Sequence, residues 1–323
     1  MPVLTIREAI SQALWEEMER DDRVFILGEE VGVWGGTYAV TKGFYDHFGP
    51  SRVRDTPIAE AVIVGAANGA AMAGLRPVAE LMTINFAFLA MDQIVNHSAK
   101  LRDMFGGQFT VPVVIRAVGG GGRQLGATHS QTPDVVFAHF PGLKVVAPGT
   151  PQDAKGLLKT AIRSEDPVLF IEHATLYQTR GEVAEGEVLE PIGVAKVQRP
   201  GDDVTIVTYS KMLQVSLAAA EQLAQEGIEA EIVDLRSLRP LDLGPAVESI
   251  RRTNRAVVAE EGWLSYGVGA EVSARLYELA FDHLDAPIKR VAQEEVPLPY
   301  NRTLEQMALP QIEDVVEAVK EVL

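Results

Sequence analysis

Short apolar stretches of strand type alternate along this chain with longer stretches of helical type, and this alternation limits the fold to few architectures. Parallel strands cannot be joined by tight turns, so strands that alternate with helices predict parallel sheets covered by helices. Before residue 172, strands are predicted at residues 24–27, 76–81, 111–118, 144–147 and 167–171, and helices at residues 59–73, 87–104 and 151–163. The sequence therefore predicts an α/β fold.

The first helix carries its own start signal. Thr5 and Glu8 have the spacing of a capping box, in which each side chain accepts a hydrogen bond from the other residue's backbone amide. Apolar residues follow at helical spacing, at Ile6, Ile10 and Leu14. We therefore expect a helix to begin directly after Thr5.

The periodic pattern is interrupted between residues 173 and 203, where glycines, prolines and glutamates are frequent. Such a stretch is typical of a connection between domains. A second α/β series follows, with strands predicted at residues 204–209, 230–235, 256–260 and 288–292, and helices at residues 212–225, 242–251, 272–280 and 312–322. We predict two parallel-sheet α/β domains, at residues 1–190 and 191–323.

Composition excludes several classes of protein. The 323 residues are 47% hydrophobic and 23% charged, which is ordinary for a globular protein of two domains. No apolar run reaches the ~18 residues that cross a bilayer, and the amino end reads as a helix start, so we expect a cytoplasmic protein without a signal peptide. The net charge of −16 argues against nucleic acid or an anionic membrane as partner. The absence of cysteine excludes disulfides and thiolate chemistry.

One carboxylate stands at the start of an otherwise apolar helix of small residues. Pro57 cannot lie inside a helix and holds Thr56 extended, so the chain turns in the segment DTPIAE, residues 55–60. Glu60 then opens a helix whose glycines and alanines allow another backbone to approach closely. The simpler interpretation is a first-turn charge that the helix N-terminus stabilises.

DTPIAE, GLRPVAELMTINF (residues 74–86) and ATHSQ (residues 127–131) together resemble the beta subunit of the thiamine-diphosphate-dependent 2-oxo acid dehydrogenases, most of all pyruvate dehydrogenase. The resemblance extends over the chain through LGEEVGVWGG (27–36), PGLKVVAPGTPQDAKGLLKTAIR (141–163), YGVGAEVSARL (266–276) and EVPLPYNRTLE (295–305). It implies a transketolase-like architecture, with a pyrimidine-binding domain followed by a transketolase C-terminal domain.

The resemblance also implies roles for three residues of the first domain. Glu60 matches the carboxylate that bonds the pyrimidine ring nitrogen of thiamine diphosphate and favours the imino tautomer, which removes a proton from the thiazolium carbon. Phe86 matches an aromatic residue packed on the aminopyrimidine face, although its local sequence alone suggests only core. Glu29 matches an active-site glutamate, whereas Glu30 beside it has the character of a surface charge.

His129 follows a glycine-rich stretch that can deliver an imidazole to a channel mouth. Isolated histidines are usually structural or surface residues, but the resemblance implies that His129 handles the substrate and the lipoyl group. The expected substrate is a 2-oxo acid, and the expected acyl acceptor is a lipoyl-bearing dihydrolipoyl acyltransferase.

The metal-binding half of a thiamine enzyme is missing from the sequence. A GDG segment followed by Asn-Asn, which holds magnesium and the diphosphate in such enzymes, does not occur. The resemblance implies that an alpha subunit holds magnesium, that the two chains share thiamine diphosphate, and that the assembly is α2β2. It also implies a possible potassium site on the carbonyl groups of Val113, Ala161, Ile162, Ser164 and Asp166.

Three alternatives to a pyruvate dehydrogenase subunit stay open. VPLPYNRTLE and GWLSYGVGAE favour pyruvate, but MFGGQFTVPVVIR (residues 104–116) also resembles acetoin dehydrogenase beta chains, and a branched-chain 2-oxo acid dehydrogenase has a similar beta subunit. From another class, the chain could be a non-catalytic assembly subunit that supports a partner's site.

Overall fold

The computed structural model describes residues 1–323 and divides into two compact units. The first unit comprises residues 1–119 and 136–192, and the second comprises residues 120–135 and 193–323. The second division along the chain falls after Ile192, and the segment 120–135 groups with the second unit. None of the helices combines the length and apolar composition that a bilayer-spanning helix needs.

The first unit is built on a parallel sheet with strand order β6-β7-β5-β4-β2-β3, and β1 pairs antiparallel with β8 outside this sheet. Its strands are β1 (Val3–Thr5), β2 (Val24–Gly28), β3 (Val53–Asp55), β4 (Arg76–Leu81), β5 (Val114–Gly119), β6 (Lys144–Val146), β7 (Val168–His173) and β8 (Arg180–Glu182). Its helices are α1 (Ile6–Arg20), α2 (Phe44–Phe48), α3 (Glu60–Met72), α4 (Leu101–Met104), α5 (Asp134–Ala138, which begins in the segment grouped with the second unit) and α6 (Pro151–Arg163), with 3-10 helices at Ile84–Ala90 and Ala174–Gln178 and a π-helical turn at Gln93–Ser98.

The predicted start of α1 is confirmed. The Thr5 hydroxyl accepts a hydrogen bond from the Glu8 amide at 3.1 Å, and the Glu8 carboxylate accepts one from the Thr5 amide at 2.7 Å. Ile6, Ile10 and Leu14 are buried in the core beneath the helix. Local sequence therefore fixes where this helix begins.

The single helix predicted at residues 87–104 is wrong. The structure has a 3-10 helix, a π-helical turn and α4 in this region. The carbonyl group of Gln93 accepts hydrogen bonds from the side chains of Asn68 (2.9 Å) and Ser98 (3.0 Å). Asn68 lies on α3, so its hydrogen bond to Gln93 comes from a neighbouring helix and accompanies the wider π-helical turn. The sequence pattern of residues 87–104 alone does not reveal this contact.

The second unit is a five-stranded sheet with order β14-β13-β10-β11-β9, parallel except for β9 against β11. The strands of this sheet are β9 (Lys196–Arg199), β10 (Val204–Thr208), β11 (Ala230–Asp234), β13 (Ala256–Trp263) and β14 (Lys289–Gln293), and the short strand β12 (Ser237–Arg239) is not part of it. The helices of the second unit are α7 (Lys211–Gln225), α8 (Gly244–Thr253), α9 (Val268–Ala280), α10 (Arg302–Ala308) and α11 (Ile312–Val322), with a 3-10 helix at Phe281–His283. The two α/β sheets confirm the predicted fold class, but the predicted connection 173–203 contains β8 and β9.

Candidate active site

Two turns of the first unit bring Glu29 and Glu60 together. Glu29 follows the last residue of β2, and Glu60 is the first residue of α3. The amide of Thr56 donates to the carbonyl of Gly28 at 2.9 Å, which ties the DTPIAE turn to the end of β2. A second bond, from the amide of Gly32 to the Asp55 carboxylate at 2.6 Å, joins the segment after Glu29 to the start of the DTPIAE turn. The backbone therefore holds both glutamate-bearing segments in place.

Both carboxyl groups are buried. Glu29 is 6% exposed and Glu60 is 4% exposed. The pKa of Glu29 is raised above its ordinary value, first because burial disfavours its charged form, and then because the charges of Glu60 and Glu30 repel it. One carboxyl oxygen of Glu29, Oε1, has no hydrogen-bond partner. A buried, incompletely satisfied acid beside a second acid is typical of a functional site.

Phe86 lies on the 3-10 helix that packs against α3, and its ring is half-buried. Thr56, four residues before Glu60, has a buried hydroxyl without a hydrogen-bond partner. An unsatisfied carboxyl oxygen, an unsatisfied hydroxyl and a partly open aromatic face are groups that a flat polar heterocycle can satisfy. These residues of the first unit therefore fit an aminopyrimidine ring.

The sequence analysis did not predict a buried network of ion pairs in the first unit. Arg116 of β5 donates to both oxygens of Glu172 on β7 (2.6 and 3.0 Å) and to Glu80 on β4 (2.6 Å), and the Tyr177 hydroxyl also donates to Glu172 (2.6 Å). Burial raises the pKa of Glu80 although Arg116 opposes the shift. A Cβ on Gly36 would lie 3.1 Å from Glu80, so the network supports the loop that follows Glu29. The signal in the sequence that could have indicated this network is Arg116, a charged residue inside the apolar strand β5.

His129 lies in the loop between β5 and α5, and this loop groups with the second unit, whereas Glu29, Glu60 and Phe86 belong to the first. Its side chain is exposed, its amide donates to the Gly126 carbonyl at 3.1 Å, and its Nδ1 lies 2.8 Å from the Thr128 hydroxyl. The imidazole is therefore open to an incoming molecule.

The predicted cation site consists of five carbonyl groups, which lie just before β5 (Val113), in the last turn of α6 (Ala161 and Ile162) and between α6 and β7 (Ser164 and Asp166). The carbonyl of Val113 accepts from the Val168 amide at 2.9 Å, and that of Ala161 accepts from the Ser164 amide at 3.1 Å. Arg76 donates to the carbonyls of Ile162 (3.0 Å) and Ser164 (3.1 Å). Four of the five carbonyls therefore already accept protein hydrogen bonds.

The second unit contains a buried acid, Glu260 of β13, whose carboxylate contacts the N-terminus of α9. It is 3% exposed and accepts a hydrogen bond from the Gly269 amide at 2.8 Å. Burial raises the pKa of Glu260 to about 7, and the nearby charge of Asp134 adds to this, while the amides of Gly269 and Val268 and the charge of Arg290 oppose it. The carboxyl group therefore titrates near neutral pH.

Known protein families match both halves of the chain. The family described as transketolase, pyrimidine binding domain, matches residues 3–180, and transketolase, C-terminal domain, matches residues 193–315. The mitochondrial pyruvate dehydrogenase E1 component subunit beta-1 of Arabidopsis thaliana is 50% identical over 322 residues, covering 98% of this chain and 88% of the relative. The subunit beta of Rickettsia felis is 49% identical over 319 residues, covering 99% and 98%.

The chain belongs to the family of pyruvate dehydrogenase E1 beta subunits. Among solved structures, a split gene transketolase described as an inactive beta4 tetramer matches with a TM-score of 0.80 and 27% identity, covering 99% of this chain and 98% of the other. The transketolase-like architecture is confirmed. Glu29, Glu60, Phe86 and His129 all lie in the segment that matches the pyrimidine-binding domain.

The raised pKa of Glu260 predicts a pH-dependent stability. A carboxyl group whose folded pKa exceeds its unfolded value of 4.5 stabilises the fold fully below pH 4.5, and this contribution is lost as the pH rises through about 7. The glutamine of Glu260→Gln stays neutral at every pH. The melting temperature of the variant minus that of the wild type should therefore increase from pH 5.5 to pH 8.5. The difference in unfolding free energy between the two proteins should change by roughly 2 kcal/mol, because each pH unit between pH 5.5 and the folded pKa of about 7 contributes about 1.4 kcal/mol.

Thermal unfolding of both proteins at these two pH values measures the gain. Glu278→Gln, which replaces an exposed glutamate of α9, is the matched control and should show no pH-dependent gain. A constant difference between Glu260→Gln and the wild type at all pH values would contradict the raised pKa.

Proposed function

We propose that this chain is the beta subunit of a pyruvate dehydrogenase E1 component, which with an alpha subunit decarboxylates pyruvate and reductively acetylates lipoamide. The observation that carries the proposal is the buried pair Glu29 and Glu60, in the segment that matches the pyrimidine-binding domain. The names of the similar proteins favour pyruvate over acetoin or a branched-chain 2-oxo acid.

In this proposal Glu60 holds a proton at the pyrimidine ring nitrogen, and Phe86 packs on the ring face. Thiamine diphosphate, when bound, supplies the electron sink for decarboxylation. Glu29 offers a buried oxygen, Oε1, that has no protein partner and can accept a proton or a hydrogen bond. Burial keeps water from competing for these groups, which strengthens each hydrogen bond to the ring.

An alpha subunit completes the site, because the sequence lacks the segments that hold magnesium and diphosphate. We propose an α2β2 assembly in which the alpha chain holds magnesium and the two chains share thiamine diphosphate. The tetramer of the similar split gene transketolase, formed by beta chains and described as inactive, supports a requirement for the second chain.

The proposed acyl acceptor is a lipoyl-bearing dihydrolipoyl acyltransferase, and the net charge of −16 favours a basic docking region on that partner. A cytoplasmic location stays a prediction, since the similar proteins include chains named mitochondrial as well as chains from bacteria.

A potassium ion on the carbonyls of Val113, Ala161, Ile162, Ser164 and Asp166 also stays a prediction. Each carbonyl oxygen has two lone pairs, so an ion would share these oxygens with the existing hydrogen bonds. For Ile162 and Ser164 it would share them with the positively charged side chain of Arg76, which works against a second cation.

Glu60→Gln tests the proposed chemistry directly. The amide keeps the size of the side chain but cannot hold the proton at the ring nitrogen, so proton release from the thiazolium carbon should slow by roughly 10²–10⁴-fold. Hydrogen–deuterium exchange at that carbon in the reconstituted α–β complex measures this step. Glu182→Gln, which removes an equal charge from an exposed glutamate of β8, should leave the exchange rate unchanged.

An unchanged exchange rate in Glu60→Gln would mean that Glu60 is structural. It would favour the alternative in which the chain is a non-catalytic assembly subunit that supports its partner's site.

His129→Ala tests the second half of the reaction. Removing a loop imidazole takes away a proton donor for the incoming lipoyl group but leaves Glu60 in place, so acyl transfer to a lipoyl domain should fall more than decarboxylation with an artificial electron acceptor. Both assays are run on one reconstituted preparation, with His139→Ala, another exposed histidine, as the control. Equal fold-losses in the two assays would mean that His129 has no special part in acylating lipoamide.

A further inference from the structure

The loop that carries His129 is fastened to the second unit by buried carboxylates. Glu305 on α10 is fully buried, and its two oxygens accept hydrogen bonds from the amide of Gly122 (3.0 Å), the amide of Gln124 (3.1 Å) and the Gln124 side chain (2.7 Å). Glu261 of β13 accepts from the Gly121 amide at 2.8 Å and from the Thr132 hydroxyl at 3.1 Å. Both ends of the loop are therefore held.

The backbone of the same loop also lies close to side chains of residues 298–309. A Cβ on Gly121 would lie 2.8 Å from Leu298 and 2.9 Å from Leu309. A Cβ on Gly126, whose φ is +79°, would lie 2.4 Å from the ring of Tyr300. At both positions the loop backbone lies directly on side chains of residues 298–309, and the positive φ of Gly126 also favours glycine there.

The burial of Glu305 is informative because a buried carboxylate is costly unless it is paired or hydrogen-bonded. Its side-chain hydrogen bonds all come from the loop, as residues 122 and 124 supply every donor. Hydrogen bonds from amides to an ionised carboxylate are stronger than neutral ones. The hydrogen bonds of Glu305 therefore tie its side chain to the loop.

We propose that Glu305, with Glu261, is a positioning residue that holds the glycine-rich loop so that His129 meets the incoming lipoyl group. This inference rests on the proposed function of His129. Glu305 acts only through the loop and has no direct part in the chemistry. The segment EVPLPYNRTLE (residues 295–305) contributes Leu298, Tyr300 and Glu305. Its role in this proposal is to hold the glycine-rich loop in place.

Glu305→Gln tests the proposal in the reconstituted α–β complex. The amide keeps the shape but weakens acceptance from three loop donors, so amide hydrogen exchange at residues 121–124 should accelerate roughly 10- to 100-fold. Acyl transfer to a lipoyl domain should fall several-fold more than decarboxylation with an artificial acceptor, as for His129→Ala. Glu313→Gln removes an equal charge from an exposed glutamate of α11 and should change neither readout.

A double variant, Glu305→Gln with Gln124→Glu, exchanges the two side chains of the 2.7 Å contact and should partly restore both slow exchange and acyl transfer. Unchanged amide exchange in Glu305→Gln would overturn the proposal, whatever His129→Ala shows. Faster exchange with unaltered acyl transfer would overturn it as well, because a released loop would then have no consequence. Equal fold-losses in His129→Ala alone would instead count against the proposed role of His129.

Discussion

The burial of two carboxyl groups side by side, Glu29 and Glu60, is the constraint on which the first unit depends. Acids in such a place repel each other and lose hydration, and the raised pKa of Glu29 records both effects. The fold accepts this cost because the Thr56 amide donates to the Gly28 carbonyl and the Gly32 amide donates to the Asp55 carboxylate, and these two bonds fix the segments. The sheet order that places β2 between β3 and β4 makes those bonds possible.

Buried carboxylates serve distinct purposes in this protein, and their partners distinguish them. Glu172 is paired with Arg116 and is structural in character. Glu305 is surrounded by loop amides and orders a segment of chain. Glu29 retains an oxygen with no partner. Because the fold satisfies the other two acids, the unsatisfied one points to a role with a bound molecule.

Much of the fold could be predicted from the sequence because the signals are local. The alternation of strands and helices, the Thr5 and Glu8 capping box and the strand at Arg76–Leu81 needed no tertiary information. The helix at residues 87–104 failed because a side chain of α3 takes part in its hydrogen bonding. Glu60 could be singled out only through the resemblance, since a first-turn glutamate is ordinary by itself.

The role of Glu305 could not be predicted, because its partners lie 181 and 183 residues away along the chain. Arg116 offered a weak signal as a charge in an apolar strand, but nothing local indicated that Glu80 and Glu172 would meet it. Non-local contacts of this kind leave no periodic pattern in the sequence. They became visible only once the sheet brought distant strands together.

A crystal structure of the α–β complex with thiamine diphosphate would test the central claim most directly. The account predicts a carboxyl oxygen of Glu60 within about 2.6–3.2 Å of the pyrimidine ring nitrogen, the reach of a hydrogen bond that transfers a proton. A cofactor bound with that nitrogen turned toward solvent or toward another residue, and with Glu60 bonded only to protein, would contradict it.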